Sequence, residues 1–137
     1  MKDGLSQIIV NVEAQKDMPT EYHILNRAIF YVSRLISSQK ERDFENMNYN
    51  DIRRVYSIWV CMNMEENSLC HIHLVKEDLV GRHDWKGNLD LLNIVMIGLA
   101  EELPEHDEMY ELHRLLGALF SQVLTQEERL ELLDKEY

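Results

Sequence analysis

The chain has 137 residues, of which 45% are hydrophobic and 28% are charged, a composition typical of one globular domain. Asp and Glu number 25 against 14 Lys and Arg, so the formal net charge is −11. A uniformly acidic protein is repelled by phosphate backbones, which argues against nucleic-acid binding unless the basic residues are gathered on one face. No signal peptide and no apolar run long enough to span a bilayer are found, which predicts a cytoplasmic protein with no membrane partner.

The first predicted element is a strand over about 5–15, LSQIIVNVEAQ. Alternate residues of a strand share a face, so one side is wholly apolar and the other turns polar towards the carboxyl end. The polar side carries Glu13, with Gln15 two residues further on. A carboxylate this close to a core needs a cation, a hydrogen-bond network or a metal ion as partner.

A long helix is predicted from about 21 to 41, because apolar residues recur at helical spacing and form one stripe. The stripe consists of Leu25, Ala28, Ile29, Val32, Leu35 and Ile36. Gln39 projects onto its far end, where it could cap neighbouring backbone groups. Arg27, Tyr31 and Arg34 form a separate flank that could line a cleft, bind phosphate or be solvated.

Three further strands are predicted, at 52–63, 69–75 and 89–99. The last segment could also be a buried helix, but its Ile and Val content and Gly98 near its end favour a strand. The first is apolar on both faces, as in a central strand, and the second is expected to pair with it. Cys61 and Cys70 lie in these strands and are expected to be buried free thiols. Helices are predicted over 105–123 and 125–137. The whole pattern indicates a single mixed α/β domain with polar residues at the carboxyl end of its first strand, where such sheets keep their sites.

The run NVEAQKD, the helix YHILNRAIFYVSRLISSQ and the strand VYSIWVCMN together resemble a known group. They are similar to the PD-(D/E)XK nuclease-family transposases, the branch related to recombination-promoting nucleases. The similarity continues through LDLLNIVMIGL to the closing helices. It implies a restriction-endonuclease-like fold, a mixed sheet flanked by helices, in a mobile-element protein. It also implies DNA as the ancestral substrate and metal-dependent phosphodiester hydrolysis as the ancestral reaction.

The resemblance also implies roles for individual residues. Such nucleases hold a divalent ion, usually Mg²⁺, between an upstream Asp and the acidic residue of an E-x-K or E-x-Q triplet. The matching ligands here are Glu13 and the backbone carbonyl of Ala14. Gln15 stands where many relatives have Lys, and it could orient the attacking water. Helix positions that face the cleft in related nucleases are held here by Arg27, Tyr31 and Gln39.

Upstream of Glu13 the sequence departs from the family pattern. The family's other metal-binding Asp would lie on a strand before residue 1, and the acid that precedes Glu13 is Asp3, in a predicted turn. The expectation is therefore that the first helix and strand of the core are missing, that the metal site is incomplete and that this chain alone is inactive. Two alternatives stay open, a non-catalytic module that forms a homo-oligomer and an α/β protein with no nucleic-acid role.

Simpler interpretations compete with a metal at Glu13 and elsewhere. Glu13 could form an ion pair with Arg27 or Arg34, or could simply be solvated. His71 and His73 have a spacing compatible with metal ligation on one strand face, but two histidines without a third ligand are more often structural or surface residues.

Overall fold

The computed structural model describes residues 8–42, 48–101 and 110–116. Its main elements are β1 (Ile8–Gln15), α1 (Ile24–Ser37), α2 (Gln39–Arg42), β2 (Arg54–Met64), β3 (Ser68–His73) and β4 (Leu92–Ala100). Residues 111–116 are helical, whereas Asp3, the rest of the predicted helix over 105–123 and the helix over 125–137 lie outside the described residues. The predicted α/β class is confirmed. Within the described ranges, no helix is long and apolar enough to cross a membrane.

The four strands form one mixed sheet in the order β1-β2-β4-β3. β1, β2 and β4 run parallel to one another, and β3 is antiparallel to β4. The predicted mixed sheet is therefore confirmed, but the expected pairing of β3 with β2 is wrong because β4 lies between them. β2 is apolar on both faces, so it is most stable with a neighbouring strand at each edge and covered on both sides.

α1 packs on one face of the sheet and buries a first apolar cluster. The cluster consists of Ala28, Val32, Val55, Trp59, Cys61 and Ile94. Leu25 and Ile29, which the helical spacing assigned to the buried stripe, are exposed. The helix thus contacts the sheet along a narrower line than its apolar pattern predicts.

The opposite face of β2 and β4 buries a second cluster, which is covered in part by the helical segment 111–116. Its core residues are Val60, Met62, Ile97 and Leu99, and Ala14 and Leu116 pack against them. His113 is buried and donates from Nε2 to the carbonyl oxygen of Ser68 (2.7 Å). Both central strands therefore bury side chains on both faces, as their continuous apolar sequences predict.

β3 lies at the edge of the sheet, and its position corrects one expectation. Cys61, on the central strand β2, is a buried free thiol as predicted, but Cys70, on β3, is exposed. An edge strand has fewer neighbours to cover it, so an apolar sequence pattern overestimates its burial.

Candidate functional site

The polar side of β1 is the side that faces α1. Ile9 packs against the first apolar cluster, and Asn11, Glu13 and Gln15 share its face because strand side chains alternate. Glu13 is paired in register with Trp59 of β2, whose side chain is fully buried. Glu13 is therefore a half-buried carboxylate beside the core, in the carboxyl half of β1.

A chain of three hydrogen bonds connects Trp59 to Glu13. The indole Nε1 of Trp59 donates to Ser57 Oγ (2.8 Å), and Ser57 Oγ donates to Asn11 Oδ1 (3.1 Å). The amide Nδ2 of Asn11 then donates to Glu13 Oε2 (3.4 Å). The register of β1 and β2 pairs Asn11 with Ser57, so the sheet itself holds this chain in place. Of the partners that a carboxylate needs near a core, the structure therefore provides a hydrogen-bond network.

The ion pair considered for Glu13 is not formed with either arginine. The ion pairs between described residues join Arg54 to Asp90 and Lys76 to Asp78, and none includes Glu13. Oε1 of Glu13 accepts no hydrogen bond from a described residue, since the amide of Asn11 reaches Oε2. Glu13 is thus a half-buried carboxylate with one orienting donor and no cation beside it among the described residues.

Arg27 lies on α1 against the same buried tryptophan. Its guanidinium carbon is 5.5 Å from the ring centroid of Trp59 and 5.4 Å from that of Tyr31. Its Nη1 also donates to the hydroxyl of Tyr22 (2.9 Å). Partial burial lowers the pKa of Arg27, but hydrogen bonds and charge interactions with Tyr22 and Tyr31 raise it by more, so its pKa lies above the ordinary value. The result is a fixed cation on the same face as Glu13.

The end of β1 is tied to the end of β2 next to Gln15. Gln15 Nε2 donates to the backbone oxygen of Asp17 (2.9 Å). Asn63 Nδ2 donates to the backbone oxygen of Lys16 (3.0 Å) and to Asp17 Oδ1 (3.1 Å). Asn63 adopts a φ of 59°, a conformation in which asparagine is favoured over most residues. These bonds fix the chain just after Glu13 and direct the Gln15 amide towards the backbone of the following turn.

Gln39 does not lie with the other candidate residues. It is fully buried, its Oε1 accepts from the backbone N–H of Arg53 (2.8 Å), and its Nε2 donates to the backbone oxygen of Arg53 (3.2 Å). Arg53 precedes Trp59 by six residues, which is about 20 Å along a strand. Gln39 thus has the backbone-capping arrangement considered in the sequence analysis, at the amino end of β2 and away from Glu13.

The described residues fit a divalent ion in one limited way. No group of three or more His, Cys, Asp or Glu side chains in the described ranges could hold a metal by itself. The side chain of Ala14 packs in the second cluster, on the opposite face, so this residue could contribute only backbone to a metal beside Glu13. Protein Mg²⁺ sites often use one or two carboxylates and take the remaining oxygens from water and substrate phosphates. Glu13 would therefore need further oxygens, from water or a phosphate, to hold such an ion.

The histidine pair on β3 has partners that explain it without a metal. His71 Nε2 lies 2.8 Å from Asn93 Oδ1, and the rings of His71 and His73 stack at 4.5 Å. Asn93 donates from Nδ2 to two backbone carbonyls, which fixes Oδ1 as the acceptor of the His71 bond. This favours a structural role for His71.

Sequence reasoning missed the residues that support Glu13 and Arg27. No role in the site is predicted from sequence for Asn11, Ser57, Trp59 or Tyr22. The sequence does carry one signal for this group. Ser57 and Trp59 are two residues apart on β2, as Asn11 and Glu13 are on β1. That signal becomes informative only when the register of the two strands is known.

No protein-family model, no curated protein and no solved structure matches this chain. The resemblance to nuclease-family transposases therefore rests on the sequence motif, and its functional consequences are taken up as a proposal.

Proposed function

We propose that the chain is a PD-(D/E)XK nuclease-like domain of restriction-endonuclease-like fold, derived from a mobile-element protein, that binds DNA phosphates through a divalent ion at Glu13. The observation that supports this most is the state of Glu13, a half-buried carboxylate that is oriented by a hydrogen-bond chain and has no cationic partner among the described residues. A carboxylate that is held in one orientation but has no cation beside it is suited to bind a cation from solution.

Each nearby residue has a part in this proposal. Glu13 holds the ion, usually Mg²⁺, with the Ala14 carbonyl as the second protein ligand that the family resemblance implies. Arg27 and Tyr31 lie against Trp59 on the same side of the sheet as Glu13, and the charged guanidinium of Arg27 neutralises part of the phosphate charge. Gln15 is neutral and cannot replace the Lys of related nucleases as a counter-charge. Gln39 has no direct part, because it pairs with the backbone of Arg53.

A divalent ion bound at such a site would generate a nucleophilic water and stabilise charge on a phosphoryl oxygen. Hydrolysis by such nucleases uses a second carboxylate, and no other described carboxylate belongs to the hydrogen-bond chain that orients Glu13. We therefore expect metal-assisted DNA binding by this chain and no DNA cleavage by it alone.

The proposal is tested by measuring duplex DNA affinity with Mn²⁺ and with EDTA, by fluorescence anisotropy at low ionic strength. The key variant is Glu13→Gln, because an amide still accepts the Asn11 hydrogen bond but removes the charge. Glu65→Gln is the matched control, since Glu65 is an exposed acid in the turn after β2. We expect Mn²⁺ to tighten binding in the wild type and in Glu65→Gln, and to have no effect in Glu13→Gln.

Two results would contradict the proposal. One is a DNA affinity that Mn²⁺ does not change in the folded wild-type protein. The other is a Mn²⁺ effect of the same size in Glu13→Gln, which would place the ion elsewhere.

A second candidate function is non-catalytic self-association, and the connection between β3 and β4 favours it. This connection, residues 74–91, carries apolar side chains in solvent, with Val80 96% exposed and Trp85 78% exposed. Exposed apolar groups of this density are typical of contact surfaces. Sedimentation velocity over a range of concentrations tests this function. A dimer that Val80→Asp dissociates supports it, and a monomer at every concentration contradicts it.

A further inference from the structure

The outward flank of α1 carries a continuous series of aromatic rings and guanidinium groups, which we call the aromatic-basic strip. Along its length it consists of Tyr22, Arg27, Tyr31, Phe30 and Arg34. Phe30 and Tyr31 each lie three or four residues from Arg27 and from Arg34 on the helix, so the four side chains share one flank. The flank was predicted from Arg27, Tyr31 and Arg34 alone.

Neighbouring members of the strip are in contact from end to end. The Arg27 guanidinium carbon lies 5.9 Å from the Tyr22 ring centroid and 5.4 Å from that of Tyr31. The rings of Tyr31 and Phe30 meet edge to face at 5.9 Å, and Arg34 lies 5.9 Å from the Phe30 centroid. Cation–π contacts of this kind hold the long arginine side chains in place.

The rings of the strip are unusually accessible for aromatic residues. Tyr22 is 42% exposed, Tyr31 is 40% exposed and Phe30 is 58% exposed. Aromatic rings supply most stabilisation when buried, so three adjacent exposed rings are an unusual use of these residues. Adjacent exposed rings offer planar surfaces on which other planar groups can stack.

The charge around the strip is the opposite of the charge of the chain. Residues 22–40 include Arg27, Arg34 and Lys40 and no Asp or Glu, although the chain has 25 acidic residues. Neither Arg27 nor Arg34 forms an ion pair with a described residue, and Arg34 is exposed. Two of the chain's 14 basic residues, Arg27 and Arg34, thus lie on this flank with no acidic residue between them in the helix, a local positive charge of the kind that attracts a phosphate backbone.

We infer that the aromatic-basic strip binds unpaired, single-stranded DNA, with bases stacked on Phe30 and the tyrosines and phosphates held by the arginines. Exposed rings interleaved with cations are the features that single-stranded nucleic acids require, because every unpaired base has a π face available for stacking. A duplex keeps its bases stacked internally and can use only the charges. This inference rests on the proposed function for the choice of DNA as ligand, and it uses neither a metal ion nor Glu13.

The test is the affinity for fluorescein-labelled oligo(dT), measured by anisotropy at low ionic strength in EDTA. The strip variants are Phe30→Ala and Arg34→Gln, both at exposed helix positions. Tyr49→Ala and Arg82→Gln are the matched controls, since they remove an exposed aromatic ring and an exposed cation outside the strip. Thermal unfolding of each variant, followed by circular dichroism, verifies that it is folded.

We expect Phe30→Ala to weaken oligo(dT) binding about fivefold or more, as loss of one stacking platform does. Arg34→Gln should weaken it and make it less sensitive to salt. Both controls should bind like the wild type, and a duplex of the same length should bind more weakly than oligo(dT).

The inference is overturned if oligo(dT) does not bind, if the duplex binds equally well, or if the strip variants bind no worse than the controls. The first of these results would favour a protein as the partner of the strip. Failure of the proposed function gives a different pattern, in which Glu13→Gln leaves Mn²⁺-dependent duplex binding unchanged while oligo(dT) binding in EDTA still depends on Phe30.

Discussion

Glu13 and Trp59 are paired in register across β1 and β2 and are also joined by three hydrogen bonds through Ser57 and Asn11. The same tryptophan supports the guanidinium of Arg27. One buried ring therefore positions both the anion and the cation of the candidate site. Because the ring is fully buried, the positions of these two charged groups depend on the folded core.

The hydrogen-bond chain makes a prediction about stability. Ser57→Ala should lower the free energy of unfolding by about 1–3 kcal/mol, because it leaves the Trp59 indole N–H and the Asn11 oxygen without partners in a buried place. Urea denaturation measures this loss. In a Trp59→Phe background, where the donor is already absent, the cost of Ser57→Ala should be smaller. An equal cost in both backgrounds would show that the two residues are not coupled.

The placement of Gln39 predicts that its role is structural. Gln39→Ala should lower the free energy of unfolding by about 1–3 kcal/mol, because the backbone N–H and carbonyl of Arg53 lose their buried partners. Gln15→Ala is the matched control, and it should cost less because Gln15 makes a single, exposed hydrogen bond. The Mn²⁺ effect on DNA affinity should be unchanged in Gln39→Ala. Loss of that effect in a folded variant would contradict a purely structural role and would support a part for Gln39 in DNA binding.

Cys61 predicts a dependence of stability on pH. Burial raises the pKa of the Cys61 thiol above its ordinary value of 9.0. At lower pH the folded and unfolded states both keep the proton. As the pH rises through the ordinary pKa, the unfolded state loses the proton first, so stability falls by up to about 1.4 kcal/mol per pH unit.

Urea denaturation at a series of pH values across this range tests the prediction. The variant Cys61→Ala should lack this part of the decline, whereas Cys70→Ala, which changes an exposed thiol, should keep it. The same slope in Cys61→Ala as in the wild type would assign the decline to other groups.

The strands could be predicted from sequence because each is a run of β-branched and aromatic residues. The prediction of 52–63 corresponds to Arg54–Met64, and that of 5–15 to Ile8–Gln15. Strand order could not be predicted in the same way. Adjacency in sequence favours a β2–β3 pair, but β4 is apolar on both faces like β2 and takes the position beside it.

The candidate site was predictable only in part, because its contacts are long-range. Periodicity places Glu13 on the polar side of β1, and the helical spacing places Arg27 and Tyr31 on one flank. Whether these groups meet depends on how α1 packs across the sheet. Local sequence patterns carry no information about that packing. Gln39 shows the limit clearly, because the helical pattern puts it on the buried stripe but cannot identify its partner, the backbone of Arg53.

The most direct test of the account is paramagnetic broadening by Mn²⁺ in the proton–nitrogen NMR spectrum. The chain has two tryptophans, so it has two indole N–H signals. That of Trp59 lies three hydrogen bonds from Glu13, and that of Trp85 lies in the β3–β4 connection and serves as an internal reference. The method detects weak binding, as expected for a site with one carboxylate.

We predict that small amounts of Mn²⁺ broaden the Trp59 indole signal and the side-chain amide signals of Asn11 and Gln15, while the Trp85 signal stays sharp. Glu13→Gln should remove this selective broadening without changing the fold. Equal broadening of both indole signals, or selective broadening that persists in Glu13→Gln, would contradict the assignment of Glu13 as the metal-binding carboxylate.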